Sequence, residues 1–217
     1  MGEMADEVKR RSYDASGRRS RSDETRRRIL ESARQLLLEG GYRATKIADI
    51  ARRAGVNVDT VYELVGRKPL IVRELIEQAI SGTDVAVVAE ERDYVKQIRA
   101  TGDAVEKLRI YARAVSEIQT RMAPLHLALR DAASTEPEAA EVWTQISDRR
   151  AANMSKLVHD LAGTGRLRPG ISLDEAADML WLTNSAELYA MLTIERGWSP
   201  QRYERWLFET WRRLLLE

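Results

Sequence analysis

Apolar residues recur at three- and four-residue steps in one segment of the chain after another, which predicts an all-α protein. Ile29, Leu30, Ala33, Leu36 and Leu37 make a first stripe, opened by Ser22 as an N-cap and ended by Gly40 and Gly41. Two shorter stripes follow: Ile47, Ile50, Ala51 and Ala54, then Val58, Val61, Tyr62 and Val65. Ala51 falls where these two short helices would cross and needs a small side chain. Gly55 falls where the chain reverses, a place for positive φ, and Asn57 offers a side-chain oxygen to cap the second helix. Spacing alone leaves two readings open, a helix-turn-helix or an ordinary helical hairpin of an all-α domain.

Pro69 sits just inside the next helix, whose buried face is Leu70, Ile71, Leu75, Ile76 and Ala79. From Glu90 the chain is helical again through Tyr94, Val95 and Ile98, and then through a longer run from Val105 to Val115. Pro124 is expected to start another segment, and Thr135 with Glu138 to form a capping box ahead of a helix reaching about Ala162. Gly163, Gly165, Pro169 and Gly170 mark a loop. Ser172 with Glu175 then opens a helix running to Gly197, and Ser199 with Pro200 opens the last one.

With 217 residues the chain can bury a substantial core. It has no cysteine, so neither disulfides nor Cys-ligated zinc hold it together. No run of eighteen apolar residues and no secretory apolar core occur, which predicts a cytoplasmic protein without membrane contact. The net charge of +1 hides a polarity: residues 1–68 hold 16 Lys and Arg against 11 Asp and Glu, and residues 69–217 hold 19 against 23. The basic excess lies on the side of the paired short helices, the polarity a DNA reader needs for phosphate neutralisation. Residues 1–21 are polar and unpatterned, with Lys9, Arg10, Arg11, Arg18, Arg19 and Arg21, and are expected to form a disordered basic arm. Arg26, Arg27 and Arg28 gain nothing from the dipole at the start of their helix; phosphate contact would explain them, as would a solvated face.

The stretch Thr45 to Lys68, TKIADIARRAGVNVDTVYELVGRK, resembles the DNA-binding signature of the TetR family of transcriptional regulators at Thr45, Ile50, Ala51, Ala54, Gly55, Val56, Tyr62 and Lys68. It departs from the pattern at Val65 and Gly66, and at Glu63, where a neutral or basic residue is common. The resemblance implies an N-terminal three-helix DNA-binding head over residues 22–68 and a C-terminal helical bundle over 69–217 for effector binding and dimerisation, with 69–81 as the linking helix. It implies phosphate contacts from Thr45, Lys46, Tyr62 and Lys68, with Val58, Asp59 and Thr60 meeting base edges in the major groove. Asp59 and Glu63 cost affinity there unless they accept from a cytosine amine or pair with a nearby cation; Asp59 as a cap of its own helix is the alternative.

For catalysis the chain offers no constellation: His126 and His159 lack metal spacing, and no phosphate-binding loop or nucleophile elbow occurs, so no catalytic residue, metal or cofactor is assigned. A pocket between body helices is the better expectation, drawn from Tyr111, Met122, His126, Leu129, Trp143, Met154, Trp181, Asn184 and Tyr189. Asn184 stands out because it interrupts an apolar helix face, and the set suits an apolar or aromatic effector. The last two helices are rich in large apolar groups, which predicts a homodimer interface of Leu180, Leu188, Met191, Tyr203, Trp206, Leu207, Trp211 and Leu214; closing the core is the other use of such a stripe. The functional expectation is a ligand-responsive repressor on a palindromic double-stranded DNA operator. An activator or architectural DNA binder without effector, or a helical enzyme or interaction module, are the alternatives.

Overall fold

The computed structural model describes the backbone of residues 3–217 and the side chains from Ser20 onward. The chain divides into two compact units, residues 1–75 and 76–217.

In the first unit, α1 (Glu3–Ala44) runs to a kink at Gly41, which takes φ 75° and ψ 179°. Ser22 is therefore inside a helix and not its cap, and the backbone of residues 3–21, expected as a disordered arm, is helical. Composition accounts for the difference: Gly17 is the only residue between Glu3 and Arg21 with a strong penalty in a helix. Met1 and Gly2 lie outside the described residues. The first stripe is buried as expected through Ile29, Leu30, Ala33 and Leu37. Next come α2 (Ile47–Ala54), α3 (Val58–Leu64) and α4 (Lys68–Ser81). Ala51 is buried at the α2 crossing. Gly55 takes φ 67° and ψ 40°; its N–H donates to the Arg52 carbonyl at 3.2 Å while Val56 N–H donates to the Ala51 carbonyl at 3.0 Å. Any side chain at Gly55 would strain this left-handed turn, which sets the angle between the two short helices. The Asn57 side chain makes no capping bond, contrary to the sequence reading.

Arg26 differs from the phosphate role open to it. Its guanidinium grips both carboxylate oxygens of Glu74, and its Nε donates to the Leu64 carbonyl at 3.1 Å, so one side chain of α1 ties down the end of α3 and the middle of α4. Arg27 and Arg28 stay exposed.

The second unit continues α4 through a 3-10 turn (Ala89–Glu91) into α5 (Asp93–Ala100), α6 (Ala104–Ala133), α7 (Pro137–Ala162), α8 (Leu173–Thr183), α9 (Ala186–Ala190), a π-helical turn (Met191–Glu195) and α10 (Pro200–Leu215). α6 is the central element, packed against α5, α7, α9 and α10. It passes through Pro124 without ending. A proline removes one backbone bond, but Met122, Ala123, Leu125 and His126 on either side of that turn are all buried, and their packing holds the helix together. Thr135 does not cap α7; its hydroxyl donates back to the Ala132 carbonyl at 3.3 Å, and Glu136 takes the N-cap position. Ser172 and Ser199 do cap α8 and α10, accepting from Glu175 N at 3.1 Å and Arg202 N at 3.2 Å. The helix expected from Ser172 to Gly197 is broken at Asn184, and Ser185 restarts it as the N-cap of α9. The loop around Gly163 to Gly170 is pinned by Arg168 N–H to the Leu215 carbonyl at 2.8 Å.

The expected dimer residues separate into two sets. Leu180, Tyr203, Leu207 and Trp211 are wholly buried within this chain's own core and have no surface to offer a partner. Leu188, Trp206 and Leu214 are half-buried and Met191 is exposed. The correction follows from the period: an α10 stripe that meets α6 cannot also meet a second copy. The exposed apolar residues of this region are Met191 (52%), which is one of the expected set, together with Leu182 (63%) and Ile194 (72%).

Candidate functional site

In the first unit the geometry turns on α3. Val61 is fully buried and anchors the helix, and the face turned outward beside it carries Val58 and Tyr62, exposed by 38% and 48%. Residues four apart share a helix face, so an aliphatic and a phenolic side chain stand side by side on the surface without apolar cover. Asp59 and Glu63 are exposed beside them, and Thr60 is half-buried. Asp59 lies in the first turn of α3, where its charge meets the positive end of the helix dipole.

Lys46 is exposed at the N-cap of α2. Thr45 is not available beside it: it is 2% exposed, and its hydroxyl donates to the Gly41 carbonyl at 2.8 Å. The phosphate contact expected of Thr45 is thus replaced by a structural bond that closes the α1 kink. Lys68 is engaged within the head as well, donating to the Tyr42 carbonyl at 3.2 Å with its ammonium 3.9 Å from the centre of the Tyr42 ring. Of the seven residues expected to meet DNA, the structure brings Lys46, Val58, Asp59, Thr60 and Tyr62 to the outside of α2 and α3.

In the second unit a cavity of about 100 Å3 is lined by Tyr111, Met122, His126, Met154 and Asn184, five of the nine expected pocket residues. Gln119, Arg150, Tyr94, Ile146 and Arg149 complete much of its wall, and none of these was among the expected pocket residues. Leu129 is fully buried. Trp143 packs on the His126 ring at 4.5 Å, Trp181 under the Arg150 guanidinium at 4.3 Å, and Tyr189 bonds Thr120 at 3.0 Å and meets Tyr203 edge-on. Those four support the wall or the core without lining the cavity.

Asn184 is the hub. Its Nδ2 donates to the Tyr111 hydroxyl at 2.7 Å and contacts Met154 Sδ at 3.0 Å; its Oδ1 accepts from Arg150 Nη1 at 3.1 Å, and its carbonyl accepts from Gln119. One residue at the end of α8 thereby joins α6 and α7 across the cavity. Burial pushes the Tyr111 hydroxyl far above its ordinary pKa, so it stays protonated and donates to Met154 Sδ at 3.1 Å. Burial also holds the Arg150 guanidinium below the ordinary arginine value. Two further openings border this cavity, a groove of about 610 Å3 and a pocket of about 120 Å3, and Tyr94 lines all three.

His126 gives a pH prediction. Burial, helped by the nearby Arg150 charge, lowers its pKa from 6.5 to about 4. The unfolded chain then binds a proton between those values that the folded chain does not, so stability is full above pH 6.5 and falls as pH drops towards 4. The loss is on the order of 3 kcal/mol. Thermal unfolding across this range should show His126→Gln losing less stability than the native chain; equal losses would show that His126 does not remain neutral.

Among the described residues no group of three or more His, Cys, Asp or Glu is placed to hold a metal ion, and no helix is long and apolar enough to cross a membrane.

A short outward helix set by a preceding helix and a left-handed glycine turn makes the head a helix-turn-helix, the class of fold that reads DNA through its second helix. Comparison with known proteins narrows the class. Residues 29–64 match the model of bacterial regulatory proteins of the tetR family. The HTH-type transcriptional regulator YvkB of Bacillus subtilis (strain 168) is 35% identical over 78 residues, 36% of this chain and 41% of the relative, so the match spans less than half of that protein. Over the whole fold, a transcriptional regulator from Saccharomonospora viridis solved with choline superposes with TM-score 0.67 at 23% identity, covering 89% of this chain and 98% of the other. NalD, the secondary repressor of the MexAB-OprM multidrug efflux pump in Pseudomonas aeruginosa, gives TM-score 0.68 at 22% identity, covering 91% and 98%. Residues 29–64 are thus similar to the DNA-binding head of tetR-type regulatory proteins, and the chain as a whole shares the fold of the solved regulators.

Proposed function

We propose that the protein is a ligand-responsive repressor that binds a palindromic operator as a homodimer. The observation that carries this reading is the exposed Val58 and Tyr62 face of α3, an apolar and phenolic surface on the element that enters the major groove in helix-turn-helix proteins. Two heads would meet successive major grooves about one helical turn apart. The Asn184-centred cavity supports an effector site in the second unit, as do a like-folded regulator solved with choline and a like-folded efflux-pump repressor. A ligand there releases the operator only if it prefers the conformation that cannot bind it. Leu182, Met191 and Ile194, exposed and apolar on neighbouring elements, are the surface offered to the second copy.

Binding to DNA from the gene's own upstream region, followed by fluorescence anisotropy over a range of salt concentrations, tests the reading. Affinity should fall steeply with salt, by roughly a factor of a thousand or more between 50 and 200 mM for six or more phosphate contacts. Binding that is absent, or indifferent to salt, sinks the proposal.

A further inference from the structure

Three arginines line the Asn184 cavity, and two of them are spent. Arg92 and Arg149 both pair with Glu77. Among the described residues Arg150 has no carboxylate partner; one guanidinium nitrogen meets the neutral Asn184 amide oxygen, its plane lies over Trp181, and its buried Nε has no hydrogen-bond partner there either. Elsewhere in this unit the most deeply buried ammonium, that of Lys107, is matched by Asp160 at 2.7 Å. A partly buried cation without a counter-charge is costly, and a bound anion offsets that cost.

Two other polar atoms on the same wall have no partner among the described residues: Gln119 Oε1 and His126 Nδ1, on side chains each only 3% exposed. The Gln119 oxygen accepts only, and its own amide donor is already used on the Asn184 carbonyl. It therefore asks for a donor on the ligand, such as a hydroxyl. Val115, Ile118, Met122 and Ile146 supply the apolar remainder, and about 100 Å3 is of the order that holds a single ring.

We infer that this cavity takes a small hydroxy-carboxylic acid with one apolar ring, its carboxylate on the Arg150 guanidinium and its hydroxyl donating to Gln119 Oε1. The inference rests on the reading of the second unit as an effector site and adds the chemical class. Quaternary ammonium ligands are excluded by the same cation. Because the carboxylate competes with Asn184 Oδ1 for Arg150, its arrival loosens the joint between α7 and the α8 end, which is where a binding signal would start.

The test uses the full chain without DNA, following tryptophan emission, since Trp181 stacks on Arg150 and Trp143 on His126. Salicylate, 3-hydroxybenzoate and 4-hydroxybenzoate are titrated beside their primary amides and choline chloride. At least one acid should bind about tenfold or more tightly than its amide, with no response to choline, because a hydrogen bond to a charged group is the stronger one. Arg150→Met should bring that acid and its amide to equal affinity without weakening the amide, and Arg150→Lys should keep part of the preference. Acid and amide binding alike in the native chain, no acid binding into the millimolar range, or a preference that survives Arg150→Met overturns the inference. Should Arg150→Met not fold, the native acid-to-amide ratio and Arg150→Lys decide it. Failure of operator binding would sink the repressor reading and leave this result standing, since no DNA enters the measurement.

Discussion

Trp211→Ala lowers the thermal midpoint of the chain by about 10 °C. The indole is wholly buried, stacks on the Tyr111 ring at 5.2 Å and donates from Nε1 to Thr183 Oγ1 at 2.7 Å. Removing a buried tryptophan costs roughly 3 to 5 kcal/mol, and a chain of this size loses about 2 to 4 °C per kcal/mol. The Thr183 hydroxyl sits one residue before Asn184, so the variant should also disturb the cavity hub. Ile194→Glu is the contrast: that side chain is 72% exposed, and its change should leave the fold intact while shifting sedimentation from dimer to monomer. Were Trp211→Ala to dissociate a dimer without loss of midpoint, the sequence-based assignment of Trp211 to the interface would be right and its place in the core wrong.

That contrast shows where the chain was legible. A helical stripe reveals that one face is apolar and says nothing of what covers it, so Tyr203, Leu207 and Trp211 read equally well as interface or core. Local chemistry was more informative: Gly55, Ser172 and Ser199 each do what their residue type predicts, because a left-handed turn or a capped helix end is decided within a few residues. Pro124 misled for the complementary reason, since packing on both sides outweighs one lost backbone bond.

The cavity was partly legible. Asn184 was visible as a polar break in an apolar face, and the same signal was present at two positions passed over. Gln119 stands in the α6 series Tyr111, Val115, Gln119, Met122, His126, at steps of four and three, and Arg150 stands between Ile146 and Met154 on α7. A polar group on a buried stripe must find a partner, and both of these keep a buried polar atom without one among the described residues. In the head, Thr45 and Lys68 matched a family motif at the right places, but a motif fixes residue types and not the direction of a side chain. The Gly41 carbonyl and the Tyr42 ring decide that direction here.

Tyr62→Asp should abolish operator binding, a loss of about a hundredfold or more on every sequence, while the fold is unchanged. The phenol is half exposed on α3 and makes no hydrogen bond among the described residues, so its replacement should spare the core built on Val61. The substitution removes an exposed hydroxyl and sets a third carboxylate beside Asp59 and Glu63, on the surface that the proposed repressor reading turns to the phosphates. Asp59→Asn tests the same field from the other side. If Asp59 only repels phosphate, the variant should bind all DNA more tightly, by about tenfold at low salt, with a salt slope steeper by about one. If Asp59 instead accepts from a cytosine N4 amine, the variant should gain on random DNA and lose on the operator, because a carboxylate matched to an amine donor carries base discrimination of about 1 to 3 kcal/mol. Anisotropy on operator and scrambled duplexes separates the two outcomes. A variant indifferent on both would place α3 outside the groove and return the reading face to another part of the head.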